Sequence, residues 1–372
     1  MLEIQKYLNK GNTLEDLEKE YGVSTRIKNG KVIFSYDQIK SPMSETICQE
    51  CRGLILREHT WEVVCYAFKK FFNHGEGFAA EIDWASARVF LKIDGSNLNL
   101  AYDNVLNQWF FSTRSMVEAD GKCEIGMEFS EVAHLALKEM GIVWENFVKL
   151  LNKNYTYMFE LVSPYTRVYI NYEKSQLYLL AVRDNISFKE MDPIPFGKKL
   201  DIQVPKTYAL MDAKTLTYLV NTWNGSEQEG VVVCDKYFNR LKIKNRDYVC
   251  KQGLIHSMSA SDRNVVQIVM NGTVDDIVPH CSDLLQKKLY AYQDKFAFII
   301  KSIEKDWDEI KHIDNQKDYA LIAKTKPWSG ILFDLKKGKV SSVETYLRKN
   351  ARVDYILKLC GLDKEKESKE IE

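Results

Sequence analysis

Lys92-Ile93-Asp94-Gly95-Ser96 closes one apolar run, 89–92, and opens another, 96–102. Short apolar-rich stretches bounded by turn residues indicate strands, and a third such run follows at 108–113, after Asp103-Asn104. An Asp-Gly pair between strands is a common hairpin turn, so alone the pentapeptide says little more than that. Working outward, 155–162 and 177–182 are rich in Tyr, Phe, Leu and Val and read as buried strands. Residues 230–233 and 240–244 form a further pair across a short polar turn. Short connections between successive strands favour antiparallel pairing, because parallel pairing needs long crossovers. Apolar residues at helical spacing mark 129–140 and 144–151.

The texture changes after Val249. Residues 283–313 contain neither Gly nor Pro, and Leu285, Leu289, Tyr292, Phe296, Ile299 and Ile303 recur at helical spacing; 343–359 repeats the pattern. A boundary between Val249 and Ser261 therefore divides an α+β domain of antiparallel sheets, residues 1–250, from an all-α C-terminal domain, residues 251–372. The charged and polar end, 363–372, is expected to fray.

Composition narrows the class. Of 372 residues, 45% are hydrophobic and 28% charged, an ordinary globular balance. Lys plus Arg and Asp plus Glu both number 52, which excludes a generally basic nucleic-acid coat but not local basic patches. No apolar run approaches the roughly 18 residues of a membrane span. Charge in Met1-Leu2-Glu3-Ile4-Gln5-Lys6 argues against a signal peptide. Eight Cys are too few for a disulfide scaffold, so a soluble cytoplasmic protein with reduced thiols is expected. Cys48 and Cys51 have zinc-like spacing, but no second Cys or His pair follows, and a buried thiol is the better reading.

What lifts Lys92-Ile93-Asp94-Gly95 above a turn is the order of other residues. Phe159-Glu160 ends one strand, Glu229-Gly230 begins another, and Lys242-Ile243-Lys244 lies on the next. Residues two apart on a strand share a face, so Lys242 and Lys244 aim together, and Asp94, Glu160 and Glu229 supply carboxylates able to converge on them. Singly, each has a plainer reading: Lys242 and Lys244 as a solvated strand face, Leu180, Val232 and Phe72 as core.

This ordered set resembles the covalent nucleotidyltransferase superfamily of ATP-dependent ligases and capping enzymes. Within it, the chain is similar to the bacteriophage RNA ligase 1 family, the tRNA-repair ligases of T-even phages. The likeness extends to Phe34-Ser35-Tyr36, Glu50-Cys51-Arg52-Gly53, Lys70-Phe71-Phe72-Asn73 and Tyr248. DNA ligases and capping enzymes follow their motif V with a β-rich OB domain, which the helical C-terminal third does not suggest.

The resemblance implies an antiparallel nucleotidyltransferase domain that moves AMP from ATP to Lys92, then to an RNA 5′-phosphate, and then joins that end to a 3′-hydroxyl. It places Glu160, Glu229, Lys242 and Lys244 beside Lys92 in catalysis. It gives ATP contacts to Asp94 and Gly95, and sets Leu180 and Val232 on the two faces of adenine. Glu160 would also touch ribose, and Arg52 and Lys70 would clamp the β- and γ-phosphates, with Tyr36 and Phe72 shaping that pocket. Where the family carries Lys and Gly, this chain has Thr113-Arg114-Ser115; Arg114 keeps the cation, though Arg and Lys differ in geometry. The roles of Tyr36, Arg114 and Tyr248 stay open.

The chemistry gives these types a reason. An amine attacks phosphorus only when neutral, while a free lysine titrates near about 10.4. Cationic neighbours and a divalent ion disfavour the charged form and stabilise phosphate charge in the transition state. Asp94, Glu160 and Glu229 are hard oxygen ligands suited to Mg²⁺ through water, with Mn²⁺ as a substitute. The resemblance further implies RNA with 5′-phosphate and 3′-hydroxyl ends, with nicked tRNA as one form, as the partner of a phage-encoded monomer working in the host cytoplasm. Eight Lys and Arg run from Lys324 to Arg352 with Trp328 and Tyr346 among them, either an RNA surface or a solvated helical face. Asp275 and Asp276 are likewise a helix N-terminal acidic pair or a metal or RNA-positioning site. The rivals are a single-stranded DNA ligase, a capping guanylyltransferase, and an idle RNA-binding module on the same fold.

Overall fold

Arg88–Lys92 and Ser96–Asp103, the strands flanking the turn at Asp94-Gly95, do not pair with each other. They belong to different sheets, so the hairpin reading of this turn is corrected. The computed structural model describes residues 1–123, 125–254, 262–278, 283–339, 342–349 and 351–361. Ser261 and 363–372 lie outside the described residues. The chain divides into two compact units, Met1–Val249 and Cys250–Glu372.

The first unit holds three sheets. Val23–Lys28, Lys31–Tyr36, Arg52–Arg57 and Val63–Cys65 form an antiparallel meander under the N-terminal helices Glu3–Asn9 and Leu14–Tyr21. Cys48 and Cys51 pack in the core of this layer, and burial raises both thiols, Cys48 to about 11. The second sheet runs Glu190–Met191, Gln176–Asp184, Tyr155–Val162, Ser96–Asp103, Gln108–Ser112, all antiparallel. Its core face, with Leu98, Leu100, Phe159 and Leu161, packs on Val132, Ala136 and Leu137 of helix Phe129–Glu139.

The third sheet is ordered Thr207–Tyr208, Arg88–Lys92, Gly230–Cys234, Arg240–Lys244, Phe72–Asn73. Its last pair is parallel, Leu241 opposite Phe72, an exception to the otherwise antiparallel layers. Alternation sorts its side chains. Val89, Val231, Val233, Leu241 and Ile243 pack against Leu216 and Val220 of helix Ala213–Asn221. The residues between them turn to the opposite face.

A buried ion cluster ties the first two sheets. Lys31 Nζ donates to Asp103 Oδ2 at 2.8 Å and Arg57 Nη2 to Asp103 Oδ1 at 2.5 Å. Burial favours the neutral acid, but these bonds prevail and hold Asp103 at about 2.

The second unit is helical, with no strand among its described residues. Its longest helix is Asp283–Ile310. The pattern read at 343–359 is two helices, Val343–Lys349 and Val353–Leu359, because Arg352 adopts an extended backbone between them. Among the described residues no helix is long and apolar enough to cross a membrane.

Candidate active site

The register of the third sheet lines up the chemistry. Gly230 lies opposite both Lys92 and Lys244, and Val232 opposite both Phe90 and Lys242. Cross-strand partners share a face, so Lys92 and Lys244 form one row, and Phe90, Val232 and Lys242 the next. Glu229, one residue before Gly230, sits at the end of this ladder. It accepts from Lys92 Nζ at 2.7 Å on Oε2 and pairs with Lys244 Nζ at 3.1 Å on Oε1. Burial works to raise the Glu229 carboxyl; Lys92 and Lys244 outweigh it and hold the group below the usual glutamate range.

Two glycines permit this packing. Gly230 adopts φ +148°, and a Cβ there would lie 2.2 Å from the Ile243 carbonyl oxygen. At Gly95, a Cβ would lie 2.4 Å from the Leu161 carbonyl oxygen and 3.0 Å from Glu160 Cγ. The turn after Lys92 is therefore pressed against the strand that carries Glu160.

Asp94 is almost fully committed. Its Oδ2 accepts from the backbone amides of Tyr169 at 3.0 Å and Ile170 at 2.6 Å, and its Oδ1 from the Tyr248 hydroxyl at 2.8 Å. Burial and then Glu229 still leave it above the ordinary aspartate range. Glu160, flanked by the core residues Phe159 and Leu161, points to the other face of its strand. Burial raises it to about 7, with Glu229 and Asp94 adding to the shift and Lys92 and Arg52 opposing it.

Beside this group lies a basic subsite. Lys70 Nζ sits 5.3 Å from the ring centres of both Tyr36 and Phe72, and the Arg114 guanidinium 4.5 Å from that of Tyr36. Burial would raise the Tyr36 phenol; Arg114, Lys70 and Arg52 together bring it below its usual value. Arg52 Nη1 is buried with no hydrogen-bond partner among the described residues. A buried guanidinium N–H left without an acceptor calls for one, and a phosphate oxygen is the matching group. The residues present thus fit a polyphosphate.

Metal is a different case. Among the described residues no three His, Cys, Asp or Glu side chains gather closely enough to hold an ion. The oxygens of Asp94 and Glu229 are already taken by N–H and O–H donors, whereas the Glu160 carboxyl accepts no hydrogen bond among the described residues. Direct coordination by all three is not what the chain has built, and contact through water is the arrangement these residues fit.

The residues expected from the sequence to act in catalysis and ATP binding all lie in the first unit. Leu180 sits at a bulge of its strand and packs with Phe71 beside Phe68, Met158 and Ala181; Val232 is half-buried on the lysine face. Sequence reasoning missed Phe90, although its position two residues before Lys92 puts it on the same face. It also missed the amides of Tyr169 and Ile170, for which no side-chain signal exists. The C-terminal basic stretch is partly internal: Lys326 and Trp328 both bond to Asp306, and Arg348 donates to the carbonyls of Val269 and Met270. Lys324, Lys337, Lys339, Lys349 and Arg352 are exposed. The Asp276 side chain lies outside the described residues.

Residues 50–248, more than half of the chain, match the RNA ligase family, and the chain belongs to that family. It is similar to a protein of Autographa californica nuclear polyhedrosis virus, provisionally named a bifunctional polynucleotide kinase/RNA ligase, at 24% identity over 93% of this chain and 51% of that one. It is also similar to the RNA ligase of Rhodothermus phage RM378, at 29% identity over 46% of this chain and 44% of that one. The chain spans about half the length of these curated relatives. An archaeal ATP-dependent RNA ligase superposes on 82% of this chain and 83% of its own, with 10% identity and a TM-score of 0.45.

Proposed function

We propose that this chain is an ATP-dependent RNA ligase and that Lys92 is its nucleophile. The observation that carries the reading is the Lys92–Glu229–Lys244 row together with the basic group of Arg52, Lys70 and Arg114, in which a buried Arg52 N–H has no acceptor among the described residues. Lys92 Nζ attacks the α-phosphorus of ATP; the P–N bond forms as the bond to pyrophosphate breaks. An RNA 5′-phosphate oxygen then displaces the lysine, and finally a 3′-hydroxyl attacks that 5′-phosphate and AMP leaves. Lys242 and Lys244 stabilise charge on the α-phosphate, Glu229 aims Lys92, and Arg52, Lys70 and Arg114 orient the leaving group over Tyr36 and Phe72. Phe90, Leu180 and Val232 make an apolar bed for adenine, with Asp94 and Gly95 fixing the turn against it.

A divalent ion, Mg²⁺ or Mn²⁺, would add positive charge at the phosphates, held through water by Glu160 with help from Glu229 and Asp94. The helical unit would select among RNA ends, nicked tRNA included, without supplying chemistry. The phage relative supports a phage-encoded enzyme, and a monomer working in the host cytoplasm belongs to the same proposal. The test is one incubation with ATP and Mg²⁺ followed by mass measurement of the denatured chain. An added AMP supports the reading; an unmodified chain under conditions that preserve the fold rejects it.

A further inference from the structure

Residues 163–175 leave the strand Tyr155–Val162 and return to Gln176–Asp184. The segment is firmly anchored. Ser163 and Ser175 join through their hydroxyls at 2.9 Å, the Tyr169 and Ile170 amides hold Asp94, and the Tyr169 ring meets Tyr248 edge-on at 5.4 Å. Its outer side is unlike an ordinary loop. Tyr165 and Val168 are exposed to 36% and 45%, and the exposed Arg167 between them has its Nε fixed on the Tyr169 carbonyl at 2.8 Å. An aromatic ring and a pre-set guanidinium on a rigid support form a surface suited to stacking bases and meeting phosphates.

Its position names the occupant. Asp94, to which the segment is tied, lies two residues from Lys92, so their Cα atoms are within about 7 Å. An RNA 5′-phosphate that reaches a nucleotide on Lys92 must lay its first nucleotides across whatever flanks this turn. We infer that Tyr165, Arg167 and Val168 form the docking surface for the 5′-terminal nucleotides of single-stranded RNA. Tyr165 stacks on a base and Arg167 contacts a backbone phosphate. This rests on the ligase reading above for its choice of partner.

The experiment uses the full-length chain and a short 5′-phosphorylated single-stranded RNA with 4-thiouridine at its first nucleotide, without ATP. Irradiation should attach the RNA to the peptide containing residues 163–175. Tyr165→Ala and Arg167→Ala should each weaken binding at least about fivefold, while Tyr165→Phe binds as the wild type. Arg167→Ala should also reduce the slope of log affinity against log salt by about 0.7, and Tyr165→Ala should leave it unchanged. Lysyl-AMP formation, measured separately, should proceed normally in each variant and shows that the anchored loop is intact. Crosslinks confined to other peptides, or wild-type binding by both alanine variants, overturn the inference. Absence of lysyl-AMP in the wild type would count against the ligase reading alone, because the crosslink and binding arms need no ATP.

Discussion

Lys92 and Glu229, separated by 137 positions in sequence, hydrogen-bond at 2.7 Å across the ends of neighbouring antiparallel strands. The acid is 3% exposed and its second oxygen is held by Lys244, so Lys92 faces a fixed carboxylate. Lys92→Ala should form no lysyl adenylate, yet still seal RNA whose 5′ end is already adenylylated, since the last step needs no lysine. Glu229→Gln and Lys244→Ala should each slow adenylate formation by the order of 10²-fold or more. Single-turnover transfer of labelled AMP measures all three, and rates within a few-fold of wild type would remove the residue concerned from the site.

Gly95→Ala should stop AMP transfer with little loss of global stability. The added methyl must push either the Leu161 carbonyl or the turn itself, and the turn carries Lys92 and Asp94. Thermal melts beside transfer rates separate the two effects. Normal transfer in the variant would show that the turn can retreat without moving Lys92.

Glu160 makes stability depend on pH in a direction unusual for a carboxylate. Its folded value, about 7, lies above the ordinary 4.5. Between these, the folded chain keeps a proton that the unfolded chain has lost, so stability falls as pH rises through the window and levels off above it. Urea melts of wild type and Glu160→Gln should diverge across this range by at most about 3 kcal/mol. A constant difference between the two proteins would contradict the burial of an ionisable acid there.

Asp103 should show the opposite trend. Its folded value of about 2 is below the ordinary 3.8, so its contribution is complete above 3.8 and lost as pH falls through about 2. Asp103→Ala leaves the fully buried Lys31 with Glu118 alone, at 3.1 Å, and takes the carboxylate from Arg57, and should cost at most about 3–5 kcal/mol at neutral pH. Lys31→Met should cost less, because a hydrophobe of similar length replaces the charge. Chemical denaturation ranks the two, and equal losses would argue that the cluster acts as simple packing.

Removal of the helical unit tests substrate selection. A chain ending near Gly253 should still adenylylate Lys92 and join simple single strands, but lose preference for nicked tRNA over linear RNA of equal length. The readout is the ratio of sealing rates at one salt concentration. An unchanged ratio in a folded truncation rejects the proposed role, and loss of the adenylate would mean that the site needs residues beyond the cut.

Much of the architecture was legible because it is written locally. Tyr155–Val162, Gly230–Cys234 and Arg240–Lys244 emerge almost to the residue from apolar runs and turn residues, and Asp283–Ile310 from an unbroken helical period. The N-terminal meander was less visible, since strands such as Val23–Lys28 mix Ser, Thr, Arg and Lys among few apolar residues. Pairing was harder again. Asp94-Gly95 has the composition of a hairpin turn, and only long-range contacts reveal that it passes from one sheet to another. The residue types of the site were readable from ordered motifs. The hydrogen bonds of Asp94 were not, because backbone amides carry no residue-type signal, and neither was the use of Trp328 as an internal partner of Asp306.

The crowding of Lys92, Lys242, Lys244, Arg52, Lys70 and Arg114 around three acids, in a chain whose charges balance, has a kinetic corollary. The attraction is local: at physiological salt it fades over about 8 Å, so a passing polyanion feels these side chains only at close range. Capture of a nucleotide should therefore be quickened by the field these side chains gather and slowed by added salt, while the zero net charge gives bulk nucleic acid no general attraction to the chain.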